Sequence, residues 1–401
     1  MIHISTSFAL LVVAIIILVC IAGSRLSGRL GVPTLFIFIM LGMLFGSDGI
    51  FKIPFGNFAL AEQVCSVALI FIMFYGGFGT RWSEAKPVAG RSILLSSAGV
   101  VLTALLTGLF CHLVLKMALM EGMLLGAVLG STDAASVFSI LRSRKLNLKY
   151  GTASMLELES GSNDPFAYMM TVILLSAMTG SVSGGSTVLL LIRQLAFGLL
   201  TGAVIAWLVT WLLKRYAFYG EGFDTIFVFA AAIISYALAS QIGGNGYLSV
   251  YLTGIILGNQ ELKNQKALVG FFDAFTGMMQ MLLFFLLGLL AFPSQMPSIV
   301  LPAIAIALFL TFVARPAAVG LLLAPSKPPI GQYLVISWAG LRGAASIVFA
   351  IMATLSEGYM KHDIFHIVFC VVLFSIIFQG SLLPKVAEKC DMIDNSSDVM
   401  R

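Results

Sequence analysis

Residues 130–136 read GSTDAAS and residues 340–346 read GLRGAAS, two near-copies that each interrupt an apolar run. One holds Asp133 and the other Arg342, at depths where a bilayer makes a single charge cost typically ~3 kcal/mol. Glycine with serine or threonine in mid-span predicts a locally unwound helix at each copy. Paired, glycine-interrupted apolar segments in two halves of a chain point to the binding site of a transporter. Small-residue helix packing accounts for the glycines and alanines, but it does not call for a buried Asp and a buried Arg.

The composition around these stretches fits a membrane protein. At 59% hydrophobic and 10% charged, the chain cannot be a soluble globule, whose charged share is near ~25%. Spans of ~20 apolar residues divide it into about thirteen helices. Their expected centres are Ala14, Ile39, Ile70, Ala104, Leu129, Pro165, Gly202, Ile233, Thr253, Met281, Leu308, Gly343 and Val372. The connecting turns are short, so residues 1–390 are expected to form one membrane domain, with a polar cytoplasmic tail over 391–401.

Lys and Arg in the turns set orientation, because they collect on the cytoplasmic side. Counting turns alternately puts Arg25, Arg29, Arg81, Lys86, Arg91, Arg142, Arg144, Lys145, Lys149, Lys214, Arg215, Lys263, Lys266, Lys327, Lys385 and Lys389 on one face, and only Lys52, Lys116 and Lys361 on the other. The amino terminus is therefore expected outside and the carboxyl terminus in the cytoplasm. The first apolar run, Phe8 to Gly23, is followed rather than preceded by arginines, which predicts a retained helix and not a cleaved leader. With an odd number of spans, the fifth and twelfth run in opposite directions. Spans one to six and eight to thirteen are then expected to be inverted repeats with crossed discontinuous helices.

The densest chemistry lies in the sixth span, ELESGSNDPFAYMM, residues 157–170. If that helix starts near Tyr150, Asp164 is roughly 21 Å along the axis and Glu159 roughly 13 Å, at membrane depth. Ser160 with Asp164, and Glu159 with Asn163, are spaced i and i+4, so their polar atoms can converge. Such a cluster of oxygens can replace the water around a cation. Pro165 withdraws one N–H and leaves a carbonyl near Gly161 without its helix partner, unless the residue merely kinks the helix. Asp133 joins this group if the fifth and sixth spans are neighbours. The cysteines form no CxxC pair, and neither a metal centre nor a disulfide framework is implied.

Thr132 and Asp133 in one span, Glu159, Ser160, Asn163 and Asp164 in the next, and Leu341 to Ala344 in a late one together resemble the monovalent cation:proton antiporter-1 family. Within it, FYGGF at 74–78 and DMID at 391–394 are most similar to the bacterial NhaP/CvrA-type potassium/proton antiporters. The resemblance implies an all-α polytopic antiporter of the NhaA-like fold in the bacterial inner membrane, working as a homodimer and exchanging a monovalent cation for protons. It implies that Asp164 carries ion and proton, that Asp133, Thr132 and Ser160 complete the site with Asn163 beside them, and that Glu159 pairs with Arg342. It further implies that the chain stops short of cytoplasmic regulatory domains. Asn163 stands where electrogenic relatives have a second aspartate, so electroneutral exchange is expected. The third span lacks the carboxylate that some relatives carry, offering Tyr75 instead, which leaves K+ and Na+ both open as substrates, K+ being favoured.

Other classes fit less well. An intramembrane aspartyl protease would also set two aspartates on neighbouring helices, but its GxGD pattern is replaced by GSND at 161–164, and it has no use for Arg342. A channel explains neither the duplication nor a midplane carboxylate. No ATP motif is present, so an ion gradient must drive the process. No enzymatic activity, cofactor or nucleic-acid partner is expected, and the partners are monovalent cations, protons, lipids and a second copy of the chain.

Overall fold

The structure, a computed structural model, describes residues 6–30, 33–143, 146–180, 184–215, 221–356 and 360–394. Arg144 and Lys145, two of the residues that set the expected orientation, and residues 395–401 of the tail lie outside the described residues. The molecule is all-helical, and among the described residues the one extended pairing is the bridge between Leu148 and Ile393.

Among the described residues, seven helices are long and apolar enough to cross a bilayer: Phe58–Gly79, Ala89–Leu113, Ser186–Arg215, Gly222–Gln241, Gln265–Leu290, Val300–Ser326 and Ile364–Lys389. Shorter apolar helices include Thr34–Phe45, Leu119–Val128, Gly246–Gly258 and Ala344–Leu355. The helix Thr152–Met178 is long enough as well, but its polar sequence lowers its hydropathy below theirs. Every expected centre falls on one of these helices, on the first helix (Thr6–Leu30), or on a break between two.

Both breaks fall on the duplicated stretches. The first separates Leu119–Val128 from Ala134–Ser143, and the second separates Ile330–Trp338 from Ala344–Leu355. Asp133 caps the helix that follows the first break, accepting from the Ser136 N–H at 3.2 Å. This satisfies one of the N–H groups that a helix start leaves without an intrahelical partner.

Lipid offers little hydrophobic drive between helices, so packing relies on close backbone approach. At the crossing of Phe58–Gly79 with Gly246–Gly258, a Cβ added to Gly254 would lie 2.2 Å from the Phe74 carbonyl oxygen, and only glycine fits. Phe71 and Phe74 then meet Phe275 and Phe272 of the Gln265–Leu290 helix, each at ring-centroid distances of 4.9 Å. Two π-helical turns, Leu310–Ala314 and Ser375–Gly380, interrupt otherwise continuous helices next to Arg315 and at Ser375. Such bulges are rare and gather at functional sites.

The polar tail is docked where it begins. The Lys149 and Asp394 N–H groups donate to the carbonyls of Met392 and Asn147, at 2.9 Å each, and the Met392 side chain is buried. The first residues of the expected polar tail are thus tied to the loop before the Thr152–Met178 helix, while the Asp391 side chain itself stays exposed. At another point in the fold, buried Glu121 accepts from the backbone N–H of His362 at 2.8 Å and pairs with its Nδ1 at 2.9 Å.

Candidate functional site

Unwound backbone at membrane depth survives only where protein or a water-lined cavity satisfies its polar groups. The first break meets that requirement group by group. The Asp133 N–H donates to the Leu341 carbonyl at 2.8 Å, tying the first break directly to the second. The Thr132 N–H donates to Asn163 Oδ1 at 3.1 Å, and the Thr132 carbonyl accepts from the Ser160 hydroxyl. The Ser131 carbonyl accepts from Arg342 Nη1 at 3.1 Å. The second break is held in turn by the Arg342 N–H, which donates to Ser375 Oγ at 3.0 Å. The two stretches cross so tightly that a Cβ on Gly343 would sit 2.4 Å from that of Asp133.

The same contacts place the expected site residues. The Ser131 hydroxyl donates to Asp164 Oδ1. Asp133 Oδ2 accepts from the Ser136 hydroxyl at 2.5 Å. A cavity of about 520 Å³ is lined on this side by Ser131, Thr132, Asp133, Ser160, Gly161 and Asp164. Asp164, Asp133, Thr132 and Ser160 thus line one cavity. Asn163 is beside them but does not line the cavity; its Oδ1 takes the Thr132 N–H, and its Nδ2 donates to Thr132 Oγ1 at 2.6 Å. Its contribution is to hold Thr132 in place rather than to face a cation.

The helix Thr152–Met178 runs through Pro165 without a break. The Pro165 carbonyl accepts from Asn245 Nδ2 at 2.8 Å, and the ring of Tyr251 packs over Gly161, where a Cβ would come within 2.4 Å of it. Glu157 also lines the cavity, as its offset around the helix from Glu159 allowed.

The pairing of Glu159 with Arg342 is overturned. Glu159 is bound in a two-pronged ion pair by Arg315, with Nη1 to Oε1 at 2.5 Å and Nη2 to Oε2 at 3.0 Å, and both residues are buried. Arg342, also buried, forms no ion pair among the described residues and gives its Nη1 to the Ser131 carbonyl instead. Depth along two helices cannot say which arginine faces which carboxylate, and the π-helical turn Leu310–Ala314 sets where Arg315 stands on its helix. A buried carboxylate takes the partner whose planar fork can meet both its oxygens. Arg315 was missed in the sequence, where ARPAA at 314–318 carries the signal: an arginine inside an apolar run, followed by a proline.

Arg342 and Arg315 share a small pocket with Ser375 and Gln379, separate from the larger cavity. Among the described residues no Lys, Arg or His lines the larger cavity, whose wall includes four carboxylates: Asp133, Glu157, Asp164 and Asp273. The chemistry on offer is oxygen ligation of a cation, with carboxylates able to exchange it for a proton.

The description "sodium/hydrogen exchanger, transmembrane" matches residues 13–389. A K(+)/H(+) antiporter NhaP from Alkalimonas amylolytica is 37% identical over 382 residues, covering 95% of this chain and 66% of that protein. A K(+)/H(+) antiporter NhaP2 from Shewanella oneidensis is 36% identical over 381 residues, covering 94% and 66%. The chain spans 66% of the length of these curated relatives, just under two thirds. Among solved structures, that of the sodium proton antiporter MjNhaP1 from Methanocaldococcus jannaschii at pH 8 superposes with a TM-score of 0.83. It is 23% identical and covers 96% of this chain and 99% of that one, which establishes a shared fold.

Proposed function

The chain belongs to the sodium/hydrogen exchanger family, and from that membership we propose that it is a secondary antiporter exchanging a monovalent cation for protons. K+ is the favoured cation, because the relatives that match it over nearly its whole length are named K(+)/H(+) antiporters. A Na+-selective exchanger is the second reading, supported by the Na(+)/H(+) antiporter described as probable in Methanocaldococcus jannaschii, which is 24% identical over 357 residues.

One observation carries the proposal: two broken helices cross at Asp133, and beside the crossing Asp133 and Asp164 share a cavity with hydroxyls and, among the described residues, no cationic side chain. In this reading Asp164 is the carrier, while Asp133, Thr132 and Ser160 complete its shell. A carboxylate in a dry site favours its protonated form, and a nearby cation favours the ionised form. Proton and metal ion therefore compete for one group. Alternating access then moves whichever is bound, and competition couples the two fluxes. Glu159 and Arg315 stay paired and untransported.

In this reading the chain lies in a bacterial inner membrane with its amino terminus periplasmic and works as a homodimer. Exchange is electroneutral, since Asn163 adds no charge beside Asp164 and its amide is occupied by Thr132. The test is transport in proteoliposomes with outward K+ or Na+ gradients across pH, following internal pH, with the membrane potential imposed by a third permeant ion. The expected result is proton uptake driven better by K+ than by Na+ and insensitive to voltage. A rate that climbs steeply with voltage would refute electroneutrality, and absence of exchange with either cation would refute antiport.

A further inference from the structure

The cavity has a second set of polar residues, outside the crossed helices. Asp273, Thr276, Gly277 and Gln280 of the Gln265–Leu290 helix line it. Their spacing of i, i+3, i+4 and i+7 puts them on one face of that helix. Asp273 is exposed, whereas Thr276, one turn further along, is buried. Tyr75 lines the cavity too and donates its hydroxyl to Asp273 Oδ1 at 3.1 Å, fixing that carboxylate at the cavity wall.

Thr276 supplies a separate observation. A threonine in an apolar helix usually returns its hydroxyl to the carbonyl four residues back, as Thr171, Thr311 and Thr354 do in this molecule at 2.8, 2.8 and 2.9 Å. Thr276 Oγ1 does not; it is 4% exposed and has no hydrogen-bond partner among the described residues. A buried hydroxyl left unsatisfied in this way calls for a water or an ion as its missing partner. Thr276 is among the residues that line the acidic cavity, one turn from the Asp273 carboxylate.

We infer that Asp273, Thr276 and Tyr75 form a first cation site in the same cavity, which takes a monovalent cation from bulk solution before it reaches Asp133 and Asp164. The inference rests on the antiport reading. Carboxylate and hydroxyl oxygens suit a hard monovalent cation that keeps part of its water. A wall with no Lys, Arg or His among the described residues leaves the negative field of the cavity uncompensated, and such a field raises the local concentration of cations.

The test measures the K+ concentration dependence of proton movement by the full chain in proteoliposomes, with thermal unfolding to verify folding. Asp273→Asn should raise the apparent KM for K+ by roughly tenfold, in line with the loss of a focused field, and leave the maximal rate in place. Thr276→Val, which preserves shape and charge, should raise KM by roughly threefold, the scale of one lost polar contact. Asp273→Glu should recover part of the loss. A KM unchanged in both Asp273→Asn and Thr276→Val, with wild-type exchange present, would overturn the site and leave the antiport reading standing. So would a rise in Asp273→Asn that impermeant salt removes while Thr276→Val is silent, since that pattern belongs to diffuse charge. A wild-type chain that exchanges no cation would overturn the antiport reading and this inference with it.

Discussion

The two breaks are near-copies in sequence, yet they do opposite work. At GSTDAAS the polar side chains Thr132 and Asp133 line the cavity, and the backbone is held by Asn163, Ser160 and Arg342. At GLRGAAS only Gly343, Ala344 and Ala345 reach the cavity, while Arg342 lies in a separate pocket beside Arg315. The acidic break brings carboxylate and hydroxyl side chains to the cavity, and the basic break supports it with a carbonyl, a guanidinium and the space left by a glycine. Identical unwinding thus serves two purposes, and the residue at the charged position decides which. A cationic group on the cavity side would compete with a transported cation; on the far side it steadies the carbonyl of Ser131 without doing so.

This division makes unequal predictions for the two buried arginines. Arg315→Ala leaves Glu159 as an unpaired buried charge, which typically costs ~3 to 5 kcal/mol, and should produce the larger fall in thermal stability. Adding Glu159→Gln should recover much of it, and a double variant as unstable as the sum of the two singles would show that the pair is not the source. Arg342→Ala removes a hydrogen bond to one carbonyl, with an expected loss of ~1 to 3 kcal/mol, and Glu159→Gln should not rescue it. If instead Glu159→Gln rescues Arg342→Ala and not Arg315→Ala, the partner of Glu159 is Arg342 and not Arg315. Transport should suffer in both arginine variants, because each supports an element of the crossing.

The breaks themselves were legible in the sequence, since glycine and charge in mid-span violate what a lipid-exposed helix tolerates. The meeting of Asp133 with Asp164 was legible too, from short turns and i, i+4 spacing. What escaped was direction around the helix axis. The resemblance pairs Glu159 with Arg342, whereas the π-helical turn before Arg315 sets which side of its helix that residue occupies, and no 3.6-residue pattern announces such a turn. Asp273 escaped for a related reason. In GFFDAFTG it reads as a lone charge near a span end, and only the fold brings it to the cavity that Asp164 lines. Asn163 was recognised as part of the cluster, but its amide could not be seen to be occupied by Thr132 until the break was placed beside it.

The central claim is that Asp164 is the group for which proton and cation compete, and Asp164→Asn tests it most directly. The variant removes the charge while keeping the size, so Ser131 retains an oxygen to bind and the protein should remain folded with a thermal transition near that of the wild type. In proteoliposomes carrying a K+ gradient, it is predicted to show no cation-driven change in internal pH at any pH at which the wild type exchanges. Appreciable proton movement by the folded Asp164→Asn protein, driven by K+ or by Na+, would contradict the account.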